Sequence, residues 1–152
     1  MIGRILALDV GSVRIGLAVS DALGITAQGL DTYTRINDEK EDINNLISII
    51  KNNNAAALVV GLPLNQYGEI GPQAQKIIDF VKLLHQSIDL PMNFVDERLT
   101  TSISEKILIS ANMDRHKRKK YVDKIAAVTI LQTYMEMNDV AKQRQKSIND
   151  FI

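Results

Sequence analysis

The sequence predicts an α/β fold: a mixed five-stranded sheet, three antiparallel strands followed by two parallel ones, with helices on both faces. Three observations predict it. Strand-like segments joined by short links fill the chain up to Thr34, and the hydrophobic period lengthens to that of helices after Asn37. Two later apolar runs, Ala55 to Pro63 and Met92 to Glu97, then alternate with amphipathic stretches.

Each element has a local reason. Ile2 to Val10 and Arg14 to Ser20 read as strands joined by a turn at Gly11 and Ser12, and Gln28 to Thr34 as a third, giving an antiparallel meander. Asp38, Glu39, Glu41 and Asp42 then form an acidic first helical turn, favourable at the positive end of the dipole, ahead of Ile43, Leu46, Ile47 and Ile50 at helical spacing. That helix stops in the polar run Asn52 to Asn54.

AAALVVGLP has the continuous apolar character of a strand buried on both faces. A loop with Gly61, Gly68 and Gly71 leads to Pro72, suited to the first position of a helix carrying Ile77, Phe80, Val81 and Leu84. MNFVDE is the next strand. Ser102 and Glu105 have capping-box spacing for a helix containing Ile103, Ile107 and Leu108, and beyond a basic loop Tyr121 to Met137 forms the longest helix. One domain over residues 1–140 is expected, with residues 141–152, which include Lys142, Arg144 and Lys146, as a frayed or mobile tail.

The chain has 152 residues and is 45% hydrophobic, sufficient for one core without staples. With no cysteine and two histidines, disulfides, thiolate sites and structural zinc are out of reach, and any metal site must be built from oxygens. No stretch has the length and apolarity of a membrane span or signal segment, so a cytoplasmic protein is expected. Eighteen basic and eighteen acidic residues cancel, but Arg115, Lys117, Arg118, Lys119 and Lys120 cluster around His116, a concentration able to neutralise phosphates.

The acids raise the sharpest question. Asp9 interrupts an apolar strand between Leu8 and Val10, where an ionised carboxylate is costly unless a cation or strong donors meet it. Asp96 and Glu97 end the last strand, and Asp123 shares a helical stripe with Ala127, Ile130 and Tyr134, the face that packs inward. Ala126 and Ala127 leave little bulk, so that helix can bring Asp123 toward the strand ends. Three converging carboxylates repel unless a multivalent cation lies among them, and hard oxygen ligands suit Mg²⁺ or Mn²⁺. Such ions, in pairs roughly 4 Å apart, drive in-line phosphodiester hydrolysis.

Each supporting residue has two roles open to it. Gly11 either lets substrate backbone approach Asp9 or simply makes a tight turn. Arg14 and Arg98 either grip phosphate oxygens bidentately or pair with a nearby acid. The loop from Gly61 to Gly71 offers amides and a helix start to a phosphate, or merely connects strand to helix.

LALDVGSVRIGLAVSD, VVGLPLNQYGEIGPQA, FVDERLTT and VDKIAAVTILQ, in this order, resemble the YqgF family, whose members are described as candidate Holliday junction resolvases and candidate pre-16S ribosomal RNA nucleases. The resemblance covers about Arg4 to Gln132 and implies a ribonuclease H-like fold. It assigns catalysis and metal binding to Asp9, Glu97 and Asp123, favouring Glu97 over Asp96. Gln73 stands where many members carry arginine, and no fourth acid is evident, so one ion and two are both compatible with the pattern.

The expected function is therefore a metal-dependent endonuclease, with processing of the 5′ end of pre-16S rRNA favoured over resolution of four-way DNA. The partner is nucleic acid, RNA first and branched DNA second, with no membrane, and the chain acts as a monomer or weak homodimer. Two other classes compete. DVGSVRIG resembles the phosphate-binding turn of actin-like and sugar-kinase-like phosphotransferases, but those close two domains on a nucleotide and this chain has room for one. A non-catalytic nucleic-acid binder on the same fold is the third.

Overall fold

The computed structural model describes residues 3–100 and 115–152, the side chains of 115–121 excepted. Strands β1 (Arg4–Val10), β2 (Arg14–Ser20), β3 (Ala27–Gly29) and β4 (Tyr33–Thr34) precede helix α1 (Glu39–Asn52). They are followed by β5 (Ala55–Leu62), α2 (Pro72–Ser87), β6 (Met92–Asp96), a 3₁₀ turn (Glu97–Leu99), α3 (Arg115–Glu136), α4 (Asp139–Arg144) and a last 3₁₀ turn (Ile148–Asp150). The six-stranded sheet runs β3-β2-β1-β5-β6, with β4 also on β2. β1 is antiparallel to β2 and parallel to β5, and β5 is parallel to β6.

This is the predicted mixed sheet with one strand more. The expected third strand from Gln28 to Thr34 is split: Ala18 faces Gly29, whereas Ile15, three residues earlier, faces Tyr33, four residues later. One extra residue on that side breaks the ladder, and residues 30–32 cross the gap as a bulge does.

Helices cover both faces. Ile43, Leu46 and Ile50 of α1 and Ile77, Phe80, Val81 and Leu84 of α2 pack on Leu6, Leu8 and Val10 of β1. On the opposite face Ala127, Ile130 and Leu131 of α3 pack on Ala7, Ala18, Val59 and Val95. The alternation of β1 sends Leu6, Leu8 and Val10 to one side and Ala7 to the other, so Asp9, two residues on, belongs to the α3 side. Caps follow their sequence signals: Asp38 accepts from the Glu41 N–H at 3.3 Å, and Pro72 opens α2.

Three expectations change. The basic residues Arg115, Lys117, Arg118, Lys119 and Lys120 lie in the first turns of α3, not in a loop before it. Lys and Arg are strong helix formers and nothing in the run breaks a helix, whereas cations at a helix start oppose the dipole, which disguised the boundary. Residues 141–152 are not a free tail. The Phe94 N–H donates to the Lys146 carbonyl at 2.7 Å, Ser147 bridges Asn93, and Ile148 is 1% exposed within the core. Phe151 stands edge-on to Phe94, with centroids 5.6 Å apart. The segment thereby covers the open edge of β6, which would otherwise present unpaired backbone groups.

Asp42, expected only as a dipole partner in the first helical turn, is buried. It accepts from the Tyr33 hydroxyl at 2.8 Å, Arg35 Nε at 3.0 Å and the Ile36 N–H at 3.1 Å. Burial raises its carboxyl, but these donors outweigh that and hold it below the usual range. Arg35 also reaches the Gly11 carbonyl at 3.1 Å and lies 4.8 Å from the Phe80 ring centroid, tying the β1–β2 turn to α1 and α2. The expected helix at Ser102 to Leu108 lies outside the described residues. Among the described residues, no helix is long and apolar enough to cross a membrane.

Candidate active site

Asp9 and Glu97 meet across the sheet. Asp9 is the next-to-last residue of β1, and Glu97 follows the end of β6, two strands away, so the parallel arrangement of β1, β5 and β6 brings both to the carboxyl ends. β5 lies between them, and its Gly61 supplies the room: a Cβ there would run into Glu97 Oε1 and the Ile130 side chain. The two carboxyls share a hydrogen bond. Burial, then the charge of Asp9 and that bond push Glu97 up to about 7. Asp9 is also raised, first by burial and second by the negative charge of Asp123, although the bond from Glu97 works the other way.

Asp123 reaches the site through α3. Gly16 on β2, opposite Asp9 in the β1–β2 register, lacks the Cβ that would overlap the Asp123 carbonyl oxygen. The helix backbone therefore settles directly on the strand. The sequence reading credited this approach to Ala126 and Ala127; Ala127 is fully buried against the sheet, but Gly16 is the residue that makes the approach possible. The signal was a glycine inside a strand, which marks close approach by another backbone.

The Asp123 carboxylate is engaged by Arg14, whose Nε donates to Oδ2 at 2.7 Å, with each side chain about a quarter exposed. Of the two roles open to Arg14, the structure shows the ion pair. Arg98 likewise holds an acid. Its Nε and Nη2 donate to Asp96 Oδ2 at 2.9 and 2.7 Å, and its Nη1 to the Gln66 carbonyl at 3.4 Å. Asp96 also caps the 3₁₀ turn by accepting from the Arg98 N–H at 2.9 Å, which leaves Glu97 as the acid facing Asp9. Gly11 makes a tight turn, its N–H donating to the Arg14 carbonyl at 2.9 Å, where a Cβ would crowd that oxygen.

The donor set fits a hard divalent cation. Asp9, Glu97 and Asp123 offer only carboxylate oxygens: burial and neighbouring negative charge raise Asp9 and Glu97, and a guanidinium meets Asp123. As placed, the third acid is turned to Arg14, and among the described residues no three acidic or imidazole side chains form a ready-made cage. A cavity of about 1050 Å³ beneath the β1–β2 turn, lined by Val10, Gly11, Arg35, Asp42 and Phe80, opens on the α1–α2 face, away from these acids.

The comparisons identify the lineage. A family model described as RuvX, Holliday junction resolvase, matches residues 3–137. The chain belongs to the RuvX family. This is the family that the YqgF resemblance named from four sequence motifs. A RuvX relative from Natranaerobius thermophilus is 47% identical over 133 residues, covering 88% of this chain and 94% of its own, and bears the name "Putative pre-16S rRNA nuclease". One from Staphylococcus haemolyticus, named likewise, is 48% identical over 136 residues, covering 88% and 95%.

Among solved structures, RuvC of T. thermophilus in complex with Holliday junction substrate superposes with a TM-score of 0.57 at 12% identity, covering 95% of this chain and 99% of that one. The human cytomegalovirus terminase nuclease domain gives 0.51 at 10% identity, covering 95% and 88%. At such identities the likeness establishes the fold, which is ribonuclease H-like. The chain is thus a RuvX-family nuclease.

Proposed function

We propose that this RuvX protein is a divalent-metal-dependent endonuclease that hydrolyses phosphodiester bonds at the 5′ end of pre-16S ribosomal RNA. The observation that carries the hydrolytic reading is the meeting of Asp9 with Glu97, within the electrostatic reach of Asp123, at the carboxyl ends of the central strands. The RNA reading is supported by relatives 46–48% identical that bear the rRNA nuclease name. The family description favours a second reading, resolution of four-way DNA.

Asp9, Glu97 and Asp123 are the residues that would hold Mg²⁺ or Mn²⁺, which when bound supplies Lewis-acid polarisation of the phosphate and an activated water. The chain's own contributions are positional. β1 and the end of β6 fix Asp9 and Glu97 on rigid elements, and Arg14 orients Asp123. The cations Arg115, Lys117, Arg118, Lys119 and Lys120 precede Asp123 on the same helix, so a strand tracked along them is led toward the acids. Arg98 buttresses the glycine loop and keeps an exposed edge for phosphate, while Gly11 keeps the turn beside Asp9 free of a side chain. The protein works in the cytoplasm, where ribosomal precursors are made, as a monomer or weak homodimer.

The test is an assay of purified protein on a transcript spanning the 5′ boundary of 16S rRNA and on a synthetic four-way junction, with Mg²⁺ or Mn²⁺ and with chelator. Metal-dependent cutting of the transcript is expected. Paired nicking of the junction alone would favour the second reading, and no cutting of either substrate with either metal would overturn the nuclease proposal.

A further inference from the structure

Residues 138–152 lie beyond the stretch that the RuvX model matches. They are nevertheless built into the sheet edge. The Asp96 N–H donates to Gln145 Oε1 at 3.2 Å, the Phe94 N–H to the Lys146 carbonyl at 2.7 Å, and Ile148 is buried in the core. These bonds hold Arg144, Gln145 and Lys146 against a cavity of about 220 Å³ whose lining also includes Gly68, Asp96 and Arg98.

The charge in that cavity is one-sided. Its single carboxylate, Asp96, is already gripped by Arg98. Arg144 and Lys146 are exposed, and among the described residues neither is ion-paired. Two uncompensated cations therefore line a small recess at the carboxyl ends of β5 and β6. Glu97 is the residue after Asp96, with its side chain on the α3 side of Gly61. The larger cavity beneath the β1–β2 turn has the opposite balance, with Asp38, Glu39, Asp42 and Asp79 against Arg35 and Lys76, the wrong sign for a polyanion.

We propose that Arg144 and Lys146, with Arg98, form a subsite for backbone phosphates of the nucleic-acid strand, at the same strand ends as the acids but toward the α1–α2 face that Leu62 and Phe94 line. The proposal rests on the nuclease reading of the neighbouring site. It gives the segment beyond the family match a role in substrate grip: main-chain bonds to β6 set its position, and its side chains supply the charge. Lys142, in the same segment, is instead placed over the Tyr134 ring at 4.9 Å.

The experiment is fluorescence anisotropy in EDTA, which separates binding from cleavage, with a labelled single-stranded RNA and a labelled four-way DNA junction across a salt series. Arg144→Ala/Lys146→Ala should weaken binding and make the salt slope shallower by about 1.4 on the single strand, roughly 0.7 for each phosphate no longer neutralised. Lys40→Ala/Lys51→Ala, an equal removal of charge on α1, should leave the slope unchanged. A shallower slope on one probe alone supports the subsite and names the nucleic acid it serves. Wild-type binding with an unaltered slope in the tail variant would overturn the subsite and leave the nuclease reading standing. Equal slope changes in both variant pairs, or no binding of either probe by the wild type, would also overturn it.

Discussion

Arg14 and Asp123, 109 residues apart in the chain, are joined by a 2.7 Å hydrogen bond that ties β2 to the long helix α3 at the edge of the candidate site. The pair is shielded but not buried, with 27% and 23% of the two side chains exposed, so its worth is limited by solvent. Arg14→Ala should lower stability by about 1 kcal/mol, a fall of about 3 °C in Tm. Chemical denaturation, combined with Asp123→Asn in a double-mutant cycle, checks both the size of the effect and its partner.

Gly16 and Gly61 separate packing from chemistry. At Gly16 an added methyl strikes the Asp123 backbone, which cannot yield without moving α3, so Gly16→Ala should cost about 2 kcal/mol or more. At Gly61 it strikes the ends of two side chains, Glu97 and Ile130, which can turn aside. Gly61→Ala should therefore keep most of the stability and lose cleavage, as Glu97 is displaced from Asp9. Thermal melts set beside initial rates read the contrast.

The buried Asp42 network sets an acid limit on stability. Asp42 titrates below its unfolded value of about 3.9, so its contribution is fully present above that pH and is lost as pH falls through the lower, folded value. Asp42→Ala leaves the Arg35 guanidinium without its carboxylate and the Tyr33 hydroxyl without its acceptor, and should cost roughly 3 kcal/mol at neutral pH. Urea midpoints between pH 7 and pH 3 should fall more steeply for the wild type below pH 4 than for Asp42→Asn.

Much of this was legible in the sequence because it is periodic or strung on a motif. The change from alternating to helical spacing after Asn37 marked the sheet and its helices, and the acids in LALDVG and VDERLTT pointed to the pair that meets at the candidate site, with the acid of VDKIAA turned to Arg14 beside it. What was missed depends on partners distant along the chain. Nothing local to Asp42 distinguishes it from the dipole acids Glu39 and Glu41; only Tyr33 and Arg35, arriving from the meander, bury it. Residues 141–152 are polar enough to resemble a tail, and the two residues that dock them, Ile148 and Phe151, are too few to form a pattern. Gly16 was hidden because a strand glycine has no meaning until the helix above it is known.

Ile148 gives a direct check on the docked segment. It is 1% exposed, and Ile148→Ala should cost about 2–3 kcal/mol, where a frayed end would tolerate it without effect. Loss of the cover over β6 should also raise the tendency to self-associate, visible by light scattering.

The central claim is that Asp9, joined by Glu97 and Asp123, makes a metal-dependent phosphodiester hydrolase. The measurement that tests it most directly is cleavage of the 16S precursor transcript by Asp9→Asn in Mg²⁺ or Mn²⁺, with circular dichroism to show that the fold is retained. The account predicts a folded protein whose metal-dependent cleavage has fallen by at least about a hundredfold. A folded variant cutting at the wild-type rate would contradict it.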